Sequence, residues 1–176
     1  KRWSTDDEGV WMDTLSDVLR AWGQLALLPG IDIMRSMVMG HSAGGQLALL
    51  LAAKAERKPW LAIAQAPITD LVGADHAKLS DDGDAVRRWI GCKPEDNPDL
   101  WSNLNPVDNP PIAPVLIIHG EADTEVPIEQ SETYARIMEA KGADVQRVWV
   151  PGDHFSIIDV ASDDWLVELN AILDWL

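Results

Sequence analysis

Three residues of this chain have the side chains and the settings for acyl-transfer chemistry: Ser42, Asp123 and His154. Ser42 lies within Gly40-His41-Ser42-Ala43-Gly44-Gly45, after the short apolar run Met37-Val38-Met39 and ahead of the apolar stretch Gln46 to Ala53. A Gly-x-Ser-x-Gly pattern between a strand and a helix predicts a nucleophile elbow. The turn is so tight that the serine is forced into a strained backbone conformation with its hydroxyl pushed into solvent. Glycines on both sides are expected to remove Cβ atoms that would meet the neighbouring strand and helix. The helix N-terminus behind the serine favours negative charge developing there.

A nucleophilic serine needs a histidine to take its proton and a carboxylate to hold that histidine in the right tautomer. The apolar run Val115 to Ile118 leads into His119-Gly120-Glu121-Ala122-Asp123, and Val145 to Val150 leads into Pro151-Gly152-Asp153-His154-Phe155. Asp123 and His154 therefore fall on loops after two successive strands. Asp123 could instead be a turn-capping aspartate, since Asp bonds readily to its own backbone. Asp70, in Pro67-Ile68-Thr69-Asp70, is its rival as the acid, although a turn or helix-cap role suits Asp70 better. His41 is assigned no catalysis, His119 is expected to order the acid loop through hydrogen bonds, and His76 is expected to be solvated. Glu121 and Glu125 read as surface charges.

The stretches GHSAGGQLAL, QAPITDL, PVLIIHGEADTEVP and VPGDHFSIID resemble the small-esterase and prolyl-oligopeptidase-like branch of the α/β-hydrolases. That branch includes carboxylesterases and formamidase-like enzymes, and its chain order is Ser, then Asp or Glu, then His. The resemblance implies Ser42 as nucleophile, Asp123 as orienting acid, His154 as general base and the Ala43 N–H as one oxyanion donor. It also implies an α/β-hydrolase fold, a mostly parallel sheet with helices on both faces. Such enzymes carry strands and a His-Gly-Gly-type loop ahead of the elbow, and nothing before Gly40 resembles that loop. The expectation is one catalytic domain over 1–176, corresponding to roughly the C-terminal two-thirds of the fold. Without preceding strands the elbow strand would present an unpaired apolar edge, open to self-association.

Stepping outward, the elements that must position these residues alternate between helix and strand. Trp11, Met12, Leu15, Val18, Leu19, Trp22, Leu25 and Ala26 recur at three- and four-residue spacing, an amphipathic helix ending near Pro29-Gly30. The strand Ser36 to Met39 and the elbow follow, then a helix to about Arg57 and a buried strand over Trp60 to Ala66. From about 72 to 111 the chain reads as irregular, with at least one short helix, around Ala85 to Ile90, and as a cap-like insertion over the site. Strand Val115 to His119, a helix from about Ile128 to Lys141 stopped by Gly142, strand Val145 to Val150 and a last helix near Asp163 to Leu176 complete the order. Ser162 suits the last N-cap. Strands and helices alternating in this way predict a parallel sheet covered on both faces.

With 176 residues and 47% hydrophobic content the chain can bury a substantial core as one domain. A net charge of −15 argues against nucleic-acid binding, which wants a basic face. No apolar run approaches the roughly 20 residues that span a bilayer. A single cysteine, Cys92, excludes an intrachain disulfide and a cysteine-based metal cluster, and the four histidines are scattered, so no metal or cofactor is expected. Localisation stays open, since a leader upstream would not be visible. Most of the nine tryptophans are expected in packing positions. The favoured reaction is cleavage of a small-molecule carboxylic ester. Amide or peptide hydrolysis of the prolyl-oligopeptidase type, and a catalytically silent fragment that only folds or binds, are the rival readings.

Overall fold

The structure, a computed structural model, describes residues 9–80 and 82–176. Four parallel strands lie side by side in chain order: β1 (Met37–His41), β2 (Leu61–Gln65), β3 (Val115–Gly120) and β4 (Val145–Val150). Parallel neighbours need crossovers, and here these are helical. Helix α2 (Ala43–Lys54) joins β1 to β2, α3 (Leu71–His76), α4 (Ala85–Ile90) and α5 (Pro98–Leu104) lie between β2 and β3, and α6 (Glu129–Ala140) joins β3 to β4. Helix α1 (Trp11–Leu25) precedes β1 and α7 (Asp163–Leu173) follows β4.

The two-residue alternation of strand side chains divides the core. Ala62, Ala64, Val115, Ile117 and Val145 point to one face, where Leu49 and Ala52 of α2 and Tyr134, Ala135 and Met138 of α6 cover them. Leu61, Ile63, Leu116, Ile118 and Val150 point to the other, against Ala171 and Ile172 of α7. With both faces covered, every residue of β2 and β3 is buried, which is why these strands are apolar until Gln65 and His119 near their ends. Helix α2 is apolar around most of its circumference because it is buried on most of it: Leu49 faces the sheet, Leu51 meets Trp22 of α1, and Leu50 joins Leu15 of α1 and Leu71 of α3.

The strand β1 bonds to β2 on one side only, so among the described residues it forms an edge of the sheet, with Met39 42% exposed. The expected element order holds, with differences at the ends. Helix α2 stops at Lys54 rather than near Arg57, because Ala55 turns to extended backbone ahead of Pro59. In the stretch read as irregular from 72 to 111, the expected helix over Ala85–Ile90 is joined by two more short ones. Its helices are only six or seven residues long, with Gly91 in the left-handed conformation after α4 and Pro98 opening α5. Trp89, Ile90, Trp101 and Leu104 hold them against α1 and α2.

Candidate active site

The strand-to-helix turn after β1 places Ser42 at φ 55°, ψ −120°, a left-handed backbone that non-glycine residues rarely adopt. Gly40 explains why the turn can close: a Cβ there would run into the Gly44 carbonyl group, backbone against backbone. The expectation for the second motif glycine is corrected, since a Cβ at Gly44 would meet nothing within 4 Å. The close approach is one residue later, where a Cβ at Gly45 would lie 3.0 Å from the Pro67 side chain. The Ser42 N–H donates to the Gln65 carbonyl at 2.8 Å, fastening the turn to the end of β2. Ala43 is the first residue of α2, so its N–H belongs to the turn whose amides have no helical acceptor.

Asp123 and His154 come together. The His154 Nδ1–H donates to Asp123 Oδ2 at 2.6 Å, and both side chains are nearly or fully buried. Three further donors converge on the same carboxylate. Oδ1 accepts the N–H groups of Glu125 and Val126, each at 2.8 Å. Oδ2 also lies 3.2 Å from His119 Nε2, which donates to the Val126 carbonyl at 2.9 Å. Both neighbours of that nitrogen are acceptors, so His119 carries its proton on Nε2, and Nδ1 accepts from the Ser131 hydroxyl at 2.7 Å. Burial, more than any neighbour, lowers the His119 pKa and keeps the ring neutral.

The chain after β4 turns tightly around Asp153, whose Oδ1 accepts the N–H groups of Phe155 and Ser156 at 2.9 Å. Those two bonds hold the Asp153 pKa below its usual value. His154 also touches its neighbours through its ring: His41 lies 4.4 Å away and tilted, and Phe155 stands edge-on at 5.2 Å. His41 reaches further than its sequence position suggested, with Nε2 at 2.8 Å from the His154 carbonyl. Desolvation lowers its pKa, so at neutral pH it donates from a neutral ring.

The other candidates lie elsewhere. Asp70 caps α3, accepting the Gly73 N–H at 3.0 Å. His76, Glu121 and Glu125 are exposed. Two supports were not read from the sequence at all: Ser131 beneath His119, and Gln65, whose side chain reaches the loop of His154. A hydroxyl on a helix and an amide in a strand carry no motif, so only the fold exposes their use.

A groove of about 680 Å³ opens between α1 and the far end of α2, lined by Trp11, Leu15, Leu19, Trp22 and Ala55. Helix α2 has 12 residues, which at about 1.5 Å each puts that end some 18 Å from Ser42, too far to hold a reacting acyl group. No helix among the described residues is long and apolar enough to cross a membrane.

Residues 9–176 match the model of the prolyl oligopeptidase family. Among solved structures, the Pyrococcus horikoshii acylaminoacyl peptidase is similar over 92% of this chain and 27% of its own, with TM-score 0.76 and 22% identity. Dipeptidyl peptidase 4 of Porphyromonas gingivalis is similar over 94% of this chain and 23% of its own, with TM-score 0.75 and 19% identity. Esterase B of Lactobacillus rhamnosis is similar over 98% of this chain and 64% of its own, with TM-score 0.77 and 16% identity. The chain thus spans about a quarter of the length of these two peptidases. No curated protein sequence matches it.

Proposed function

This chain belongs to the prolyl oligopeptidase family of hydrolases, and from that premise we propose that it cleaves carboxylic esters by acyl transfer through Ser42, Asp123 and His154. The observation that carries the reading is the pairing of a serine in strained backbone at a strand-to-helix turn with a histidine held at 2.6 Å by a buried carboxylate. His154 takes the Ser42 proton on Nε2 as Oγ bonds to the ester carbonyl carbon. The tetrahedral oxyanion is received by the Ala43 N–H. The C–O bond to the alcohol then breaks, and His154 returns the proton to the departing oxygen. A water, deprotonated by His154, attacks the acyl-serine; the C–Oγ bond breaks, His154 returns the proton to Ser42 Oγ and the acid leaves. Asp123 stabilises the imidazolium throughout. A single missing oxyanion donor costs on the order of 10²–10³ in rate, so a second donor beyond Ala43 is part of the proposal.

A second reading is hydrolysis of acylated amino acids or peptides, favoured by the peptidase family to which the chain belongs. The same atoms perform it, with an amine in place of the alcohol as leaving group. The segment from 72 to 111 is proposed as the cap that selects between them. The test is covalent labelling by a fluorophosphonate probe, with hydrolysis of an ester and an amide of one acyl group. Labelling that vanishes in Ser42→Ala is expected, with faster turnover of the ester. An unlabelled wild-type chain would sink the assignment of Ser42, and preferential turnover of the amide would favour the second reading.

A further inference from the structure

His41 and Gln65 are register partners at the ends of the parallel strands β1 and β2. Both side chains leave the sheet toward one segment, the turn that carries His154. The His41 Nε2–H donates to the His154 carbonyl at 2.8 Å, and the Gln65 amide donates to the Ile157 carbonyl at 3.0 Å. The Gln65 amide nitrogen also donates to Glu168 Oε1 of α7 at 2.8 Å, and its backbone carbonyl receives the Ser42 N–H. Gln65 is 3% exposed and Glu168 is fully buried, so these bonds face little competition from water. One strand-end residue therefore touches the elbow, the turn bearing the base, and the helix behind it. The turn's own bonds, from Asp153 to the Phe155 and Ser156 amides, shape it locally but do not fix where it stands relative to Ser42.

We propose that His41 and Gln65 are positioning residues: a two-point brace that sets the distance and angle between His154 and Ser42. The proposal rests on the reading of these two residues as base and nucleophile. Proton transfer between them needs near-contact geometry, and a displacement of about 1 Å can cost on the order of a hundredfold in rate. Two tethers on carbonyls three residues apart resist both sliding and rotation of the turn, which one tether would not.

The test uses the whole chain and two variants that keep volume while removing the donors, His41→Phe and Gln65→Met. Proton NMR would follow exchange with solvent of the His154 Nδ1–H and, as an internal control, of the buried His119 Nε2–H. The expected result is about tenfold faster exchange at His154 in each variant, the effect of one lost hydrogen bond on local opening, with His119 unchanged. A general loosening of the fold would accelerate both rings, and that outcome, or no change in either, overturns the brace. Should Gln65→Met fail to fold, His41→Phe decides alone, and His41→Gln, which restores an N–H donor, should bring the exchange back toward the wild-type rate. Fluorophosphonate labelling of the same proteins separates the brace from the reading beneath it. A wild-type chain that does not label sinks the serine-hydrolase reading, while the exchange rates still judge the brace.

Discussion

Asp123 and His154 stand on loops that follow neighbouring parallel strands, yet different kinds of contact hold the two loops. The acid loop is fastened from within. His119, the Glu125 and Val126 amides and Ser131 all lie between the end of β3 and the start of α6, and they close on Asp123 over separations of twelve residues or fewer. The base loop is fastened from outside, by His41 and Gln65 across separations of 113 and 92 residues. A loop stiffened locally can keep its shape as a unit, whereas one held by distant side chains depends on the whole sheet being assembled. The loop of His154, the proposed base, is thus the part of the site most sensitive to changes far away in sequence.

The largest effect is expected where the two loops meet. A Cβ on Gly120 would lie 2.7 Å from the Asp153 carbonyl oxygen and nearer still to that of Gly152, and both obstacles are backbone. The amides of Glu121 and Ala122 bond across to Val150 and Gly152 at this junction. Gly120→Ala should therefore cost more than about 4 kcal/mol or abolish folding, measured by urea denaturation. A cost under about 1 kcal/mol would mean the loops are not in backbone contact and the comparison fails.

Next in size is the outer anchor of the base loop. Burial raises the Glu168 carboxyl to about 7, while the bond from Gln65 pulls the other way, and Oε2 has no partner among the described residues. A carboxyl raised in the folded state binds more protons there than in the unfolded chain, between its ordinary value near 4.5 and about 7. Its contribution to stability is complete below the lower value and is lost as pH rises through the upper one. The loss is on the order of 3 kcal/mol. Unfolding free energies taken from pH 4.5 to 8 should fall less steeply in Glu168→Gln than in the wild type by that amount. Parallel curves would show that Glu168 is solvated and no anchor.

Smaller again is the foundation of the acid loop. Ser131→Ala leaves the buried Nδ1 of His119 without its donor, at a cost of about 1–2 kcal/mol. Because the Glu125 and Val126 amides still hold Asp123 and the backbone bonds to Val150 and Gly152 still join the loops, the loss should leave solvent exchange of the His154 Nδ1–H near its wild-type rate. Faster exchange at His154 in that variant would show that the support under His119 reaches His154 through Asp123.

This difference also explains how much could be read from the chain. The acid loop was legible because His119 and Asp123 sit in one short stretch after an apolar run, and the alternation of strands with helices announced a parallel sheet. The elbow was legible for the same local reason. The base loop's supports were not, since a glutamine at the end of an apolar strand and a glutamate in the last helix have no meaning until the fold brings Gln65 to the Ile157 carbonyl and Glu168 to Gln65. His41 was assigned no catalysis, and its bond to the His154 carbonyl could not be read, because only the pairing of β1 with β2 brings its ring there. The helices between β2 and β3 were underestimated because they are short and interrupted by Gly91, Pro94 and Pro98, so no periodic stripe could build up.

The smallest effect tests whether Tyr134, in the helix leaving the acid loop, is held by packing alone. Tyr134 of α6 is fully buried against Leu49, Ala62 and Ala64, and its hydroxyl has no partner among the described residues. Burial accordingly pushes the phenol's pKa up. A buried hydroxyl without a partner loses its hydration and receives nothing in return, so removing it should help. Tyr134→Phe keeps the ring and its contacts, and it should be neutral or stabilising by up to about 1 kcal/mol in urea denaturation. A loss of more than about 1 kcal/mol would reveal a hydrogen bond from that hydroxyl, and with it a polar tie on the acid side. Ser131 and Tyr134 lie one turn apart on the same helix. The prediction therefore separates a helix held at its first turn by a hydrogen bond to His119 from one held along its length by packing.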